Sequence, residues 1–273
     1  MDRPPLLIAL NAFGDAGGVQ ASMLDLLRGQ FEFTTVATFD TDALLDYRVH
    51  RPALKIRSGL IDEFSWPSIE LAHVADADGR DALVLHGPEP DRLWRGFVEE
   101  VLDLAFRFDV SIILGLGSFP GPVPHTRPIE VATTATDPEL AHAVAYLPEE
   151  IEVPSSVHGA IEHWAAAQGL QALGLWAPVP QYAANQPYPA SALALFDRLE
   201  ALTGFSVNAQ TLIDGAEASN RRIEAALEDQ PEHQRLVKAL EEHVESMEQA
   251  RATELPTGDE LEAQLRQFLD ESD

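Results

Sequence analysis

The chain has 273 residues, with 45 acidic against 18 basic side chains and a formal net charge of -27. A surface of that sign repels nucleic-acid phosphates and anionic lipid, so neither is an expected partner; it suits solubility or docking to a basic protein. The 45% hydrophobic content is enough for a sizeable core, and the absence of cysteine excludes disulfides, thiolate nucleophiles and cysteine-ligated zinc.

Met1–Pro5 leads into a short apolar stretch without a basic leader region or a cleavage-site pattern, and no apolar segment approaches the roughly 18 residues of a membrane span. A cytoplasmic protein is expected. In chain order, strands are predicted at 6–10, 33–39, 53–56, 69–74, 82–86, 110–114, 129–133 and 173–177, and helices at 19–28, 91–107, 157–168 and 189–202. The third and fourth strands flank a polar stretch and are expected to pair as neighbours. "DADGRD", Asp76–Asp81, places Asp and Gly where a tight turn needs them, so 69–86 reads as a hairpin. Strands alternating with helices predict an α/β fold with a mixed, mostly parallel sheet and helices on both faces.

Composition shifts near Asp214. From there to Asp273 the chain holds 17 acidic and 6 basic residues and no strand pattern. Pro231 opens one helix, with Leu236, Leu240, Val244 and Met247 on one face; Thr257 and Glu260 have capping-box spacing ahead of another. The expected organisation is an α/β core over 1–213 and an acidic amphipathic helical appendage over 214–273, which must dock because isolated helices are marginal in water.

Three stretches follow predicted strands. "NAFGDAGGVQ", 11–20, carries Asn11, Gly14, Asp15 and Gly17, but neither the G-x-G-x-x-G spacing of a dinucleotide loop nor a phosphate-binding lysine. Its Asp15 opposes a bound phosphate and fits capping of the following helix, although a helix N-terminus also offers N–H groups to an anion. "GLGSFPGPVPHTRP", 115–128, reads as a stiff irregular loop presenting His125, Thr126 and Arg127, suited to an anion, to proton transfer or to a subunit contact. "WAPVPQYAANQPYP", 176–189, brings Trp176, Tyr182 and Tyr188, which suit a pocket wall or an interface. In a parallel sheet all three lie at the carboxyl edge, where ligand crevices form. His73, Asp76 and Asp78 resemble a metal cluster, but the turn accounts for the aspartates and no metal is expected. His158 and Glu162 share a helix face without the second histidine of a zinc-protease motif, and a solvated face is expected. No Gly-x-Ser-x-Gly elbow is present.

Taken in order, "LNAFGDAGGVQASMLDLL", "LGSFPGPVPHTRPIEV" and "LGLWAPVPQYAANQPYPASALALFDRLEALTG" resemble the proteasome assembly chaperone family (second type) in its bacterial branch, over about Leu6 to Gly204. The resemblance implies a nucleoside-phosphorylase-like α/β fold without established catalysis. It also implies homo-oligomerisation (a trimer as first choice), and proteasome subunits as partners. Some relatives insert a C-terminal hydrophobic-Tyr-X tail; the sequence here ends Asp270-Glu271-Ser272-Asp273, without that tyrosine.

Two functions are weighed. The first is a non-enzymatic, homo-oligomeric assembly chaperone or adaptor without a cofactor. The alternative is a binder or phosphorylase/hydrolase-type enzyme for a nucleoside-like or anionic small molecule, using the carboxyl-edge loops. An ATP-dependent ligase lacks both a phosphate lysine and a magnesium carboxylate set.

Overall fold

The computed structural model describes residues 3–11, 15–136 and 152–254. Among the described residues, nine strands form two sheets. The main sheet has the order β2 (Thr34–Thr38), β5 (Glu70–Ala75), β6 (Asp81–Pro88), β1 (Leu6–Asn11), β7 (Ile113–Gly121), β9 (Ala172–Pro180), β8 (Ala132–Ala135). Its four central strands, β6, β1, β7 and β9, run parallel, and β5, β2 and β8 add antiparallel at the flanks. β1 sits in the middle, with Leu6 paired to both Leu83 and Ile113. Its run Leu6–Leu10 is wholly buried, as a strand covered on both faces requires.

One face carries α1 (Val19–Gln30) and α5 (Pro189–Thr203), packed on Leu7, Ala9, Leu114, Leu116, Leu175 and Ala177. The other carries α3 (Trp94–Arg107) and α4 (Val157–Ala167), packed on Leu6, Ile8, Leu10, Leu83, Leu85 and Ile113. α5 starts at Pro189, pre-set for a first helical turn, and stops at Gly204, whose φ of 71° is a left-handed cap. A short α2 (Thr41–Leu44) follows β2. The 69–86 hairpin forms as expected, with Asp76 accepting from the N–H groups of Asp78 and Arg80 and closing the turn.

The expected pairing of the third and fourth strands does not form. Ala53–Arg57 (β3) instead pairs antiparallel with Leu60–Ser65 (β4), a strand absent from the sequence reading, in a separate two-stranded hairpin. Gly59, at φ 82°, supplies the tight turn between them. β7 and β9 run past their predicted ends, so Gly115–Gly121 and Pro178–Pro180 are strand rather than loop. β8 pairs with β9 only from Leu173 to Trp176. Beyond Trp176 no described strand pairs with that edge of β9, so Pro178 and Pro180 forfeit no ladder bond to a described strand there.

C-terminally, α6 (Gln210–Leu227) runs through Asp214 and α7 (Pro231–Glu254) follows it. α7 turns Val237 inward, buried, with Leu240, Glu241 and Val244 half-buried beside it, whereas Leu236 and Met247 are exposed. The expected stripe is therefore rotated toward a face that includes a glutamate. The proposed helix beginning near Thr257 lies outside the described residues. Among the described residues no helix is long and apolar enough to cross a membrane.

Candidate functional site

The three stretches meet at the carboxyl edge on the α1–α5 face, joined largely by backbone bonds. Gly17 N–H donates to Ala184 O at 2.8 Å, and Tyr188 N–H donates back to Gly17 O at 2.9 Å. Gly17 has φ 66°, and a Cβ there would stand 2.9 Å from Tyr188 Cβ, so this crossing requires glycine. Asp15 Oδ1 accepts the Gln20 N–H at 2.8 Å, capping the turn into α1. Ser118 Oγ, fully buried, donates to Ala16 O at 2.8 Å and so fastens the first stretch to β7. The Gly17, Gly18 and Gln20 N–H groups are thus spent on protein oxygens rather than offered to a phosphate. Asn11 is exposed at the end of β1; Gly14 lies outside the described residues.

His125 is held by Tyr182. The phenolic oxygen accepts the His125 backbone N–H at 2.9 Å and lies 2.8 Å from Nδ1. Both groups are satisfied when Nδ1 accepts the phenolic proton, which leaves the imidazole proton on Nε2. Burial pushes the His125 pKa down against the opposing carboxylates Glu224 and Glu241, which keeps the ring neutral. Burial likewise pushes the Tyr182 phenol up.

The loop is then covered by the C-terminal helices. Asn220 Nδ2 of α6 donates to His125 O at 3.3 Å, Thr126 Oγ1 donates to Glu241 of α7, and Arg127 pairs with Glu245 one turn on. His125, Thr126 and Arg127 thus face the acidic helices of the same chain.

Trp176 does not join this group. Its neighbours Leu175 and Ala177 belong to the α1–α5 core, so its ring projects to the opposite face, over Gly117, where Nε1 donates to Thr134 Oγ1 at 3.1 Å. On that face the structure overturns one expectation: His158 and Glu162 are not solvated but 1% and 5% exposed. The sequence carries the signal, since Val157, His158, Ile161, Glu162 and Ala165 form one helical stripe whose other members are apolar. Burial lifts the Glu162 carboxyl to about 7, against a hydrogen bond from Thr134, and lowers the His158 imidazole to about 4, with the Leu10 carbonyl opposing. Ser118, Asn220, Glu241 and Glu245 are further members of these sites that local pattern does not reveal.

The metal-like trio is dispersed into turn contacts. Asp76 also accepts the Ser206 N–H, Asp78 pairs with Arg80, and His73 bonds Asp81. Among the described residues no group of three or more His, Asp or Glu side chains is placed to hold a metal.

The sequence matches the PAC2 family over residues 9–227. This chain belongs to the PAC2 family. The match reaches beyond Gly204 to take in α6, the helix that bonds His125. Among solved PAC2-like structures, a Corynebacterium glutamicum protein of unknown function is 31% identical, covers 89% of this chain and 90% of its own, and has a TM-score of 0.84. A Mycobacterium tuberculosis protein of unknown function is 31% identical over 92% of this chain and 85% of its own, with a TM-score of 0.83. A second M. tuberculosis protein, described as a proteasome-assembly chaperone homologue, is 26% identical over 86% of this chain and 99% of its own, with a TM-score of 0.78. Comparison with curated proteins found no match. The α/β fold with a mixed, mostly parallel sheet that the alternation of strands and helices predicts is the fold found.

Proposed function

We propose that this PAC2-family chain is a non-enzymatic, homo-oligomeric assembly chaperone or adaptor that engages proteasome subunits. The observation that carries the reading is how the three family stretches are used. Most of their polar groups bond one another or the C-terminal helices: Asp15 caps Gln20, Tyr182 holds His125, and Thr126 and Arg127 meet Glu241 and Glu245, while His125 Nε2 is buried without a partner among the described residues. Ser118 is committed to Ala16 O and His125 Nδ1 to Tyr182. Family membership and the chaperone homologue at 26% identity support the proteasome connection.

The β3–β4 hairpin supports self-association. Leu54, Ile56, Leu60, Ile61 and Phe64 are 46–73% exposed on a two-stranded ribbon, which is marginal without a further surface to pack on. Its base is anchored by Trp66, whose ring centroid lies 5.1 Å from Phe64 and 4.9 Å from Tyr47. Lys55 and Arg57 against Asp62 and Glu63 leave the ribbon near neutral on a strongly acidic chain, so a second copy can approach it. The expected assembly is a trimer of the 29.8 kDa chain. Light scattering tests this: a trimer mass that falls to the monomer in Ile61→Asp agrees with it, and a monomeric wild type overturns it.

A further inference from the structure

The β3–β4 ribbon is two-sided only because its ladder slips by one residue. Leu54 pairs with Phe64 and Lys55 with Glu63; the register then shifts, and Ile56 pairs with Ile61 and Arg57 with Leu60. Asp62 is the extra residue of this bulge. Cross-strand partners share a face and faces alternate along a strand, so Leu54, Ile56, Ile61 and Phe64 gather on one side, with Lys55, Arg57 and Glu63 on the other. In an unbroken ladder Ile61 and Phe64, three residues apart, would point to opposite faces. Every residue of both strands is exposed, so the apolar side remains uncovered.

A second uncovered apolar surface is a groove of about 740 Å3 between α3 and β2, the outermost described strand on its side of the main sheet. Buried Phe39, half-buried Ala37 and Leu104 and the 50% exposed Phe106 give it an apolar lining. Its charges are Glu100, Asp103 and Arg107, and none of the three holds an ion pair with a described residue. Ribbon and groove thus each leave apolar area in water, and each carries charges of both signs.

We propose that the apolar side of the β3–β4 ribbon docks in the β2–α3 groove of a second copy of this chain. The proposal rests on the self-association put forward above and adds the surface that receives the ribbon. Charge selects the occupant. Two copies at -27 repel one another over most of their surfaces, and the ribbon, whose charges cancel, is a part that can approach. A basic partner protein would be drawn to the acidic helices instead. Arg57 and Asp62, an exposed pair on the ribbon, bring a cation for Glu100 and Asp103 and a carboxylate for Arg107. Size decides how the contact is used. The five residues of β3 and six of β4 fall short of the roughly 20–30 that each side of a standard interface supplies, so one docked ribbon is a weak contact. Ribbon and groove are different patches, so every copy gives one ribbon and receives another, and closing the oligomer adds the second contact to the first.

The chain has no cysteine, so introduced thiols are read without background. The full-length double variant Ile61→Cys/Phe106→Cys, treated with a short flexible bis-maleimide, is expected to give covalent oligomers on a denaturing gel, and each single variant only monomer. Phe106→Asp, a charge placed at an exposed position, is expected to lower the light-scattering mass to the monomer as Ile61→Asp does, with circular dichroism unchanged from wild type. Self-cross-linking of the single Ile61→Cys variant would seat ribbon on ribbon and overturn the proposal. An oligomeric double variant that does not cross-link would overturn it too, as would Phe106→Asp remaining oligomeric while Ile61→Asp dissociates. In each of those three outcomes self-association stands and only the groove fails. A monomeric wild type overturns both and leaves the ribbon to a different protein.

Discussion

Replacing Glu162 with glutamine should stabilise the fold in a way that depends on pH. In the folded protein the carboxyl titrates near 7, against an ordinary value of 4.5. The folded state therefore favours the protonated acid. At pH 4.5 and below, protonation costs nothing; as the pH rises through the window from 4.5 to 7, holding an ionised group at this buried position costs progressively more, and above 7 the cost is constant. A difference of about 2.5 pH units corresponds to about 3 kcal/mol. Glu162→Gln keeps the shape and the Thr134 bond while removing the charge. It should match wild type near pH 4.5 and exceed it by up to about 3 kcal/mol at pH 8, on the order of 5–10 °C in Tm for a chain of this size. His158, whose pKa is lowered, weakens both proteins alike as the pH falls below 6.5, so it cancels in the difference. Thermal denaturation of both proteins from pH 4.5 to 8.5 measures the effect. A variant less stable than wild type at pH 8, or a difference that does not change with pH, would refute the reasoning.

Gly174→Ala places a Cβ 2.3 Å from Thr134 Oγ1 and 2.5 Å from Glu162 Oε1 and should cost about 1–3 kcal/mol in chemical denaturation, whereas Gly29→Ala, with open space around it, should cost nothing. Tyr182→Phe removes the acceptor of the buried His125 N–H and should destabilise by about 1–3 kcal/mol. Arg127→Ala breaks a pair whose side chains are 39% and 51% exposed, and should change stability by less than about 1 kcal/mol, with the difference vanishing in high salt.

Much of the fold is legible because burial on both faces leaves an unmistakable trace. Leu6–Leu10 and Ala82–His86 are apolar runs that only a central strand explains, and the Asp76–Asp81 turn identifies its hairpin. β7 is harder, because Gly115 and Gly117 lack strand propensity. They are glycines for the sake of Glu162 and the Trp176 ring, contacts from distant parts of the chain. β4 carries Asp62 and Glu63 among its apolar residues, so no burial pattern marks it, and the hairpin it forms buries neither face. His158 and Glu162 have the correct spacing for one helix face, but their polarity argues for solvent and only the flanking Val157, Ile161 and Ala165 argue against it. The contacts of Thr126 and Arg127 with Glu241 and Glu245 span more than 100 residues, and a local pattern holds no information about them.

The assembly role is tested most directly by mixing the purified protein with proteasome α-type subunits from the same organism and measuring mass by light scattering after size exclusion. The account predicts a complex heavier than either component, built on an oligomer of the 29.8 kDa chain and lost in Ile61→Asp. Independent elution, with this chain at its monomer mass, would contradict it.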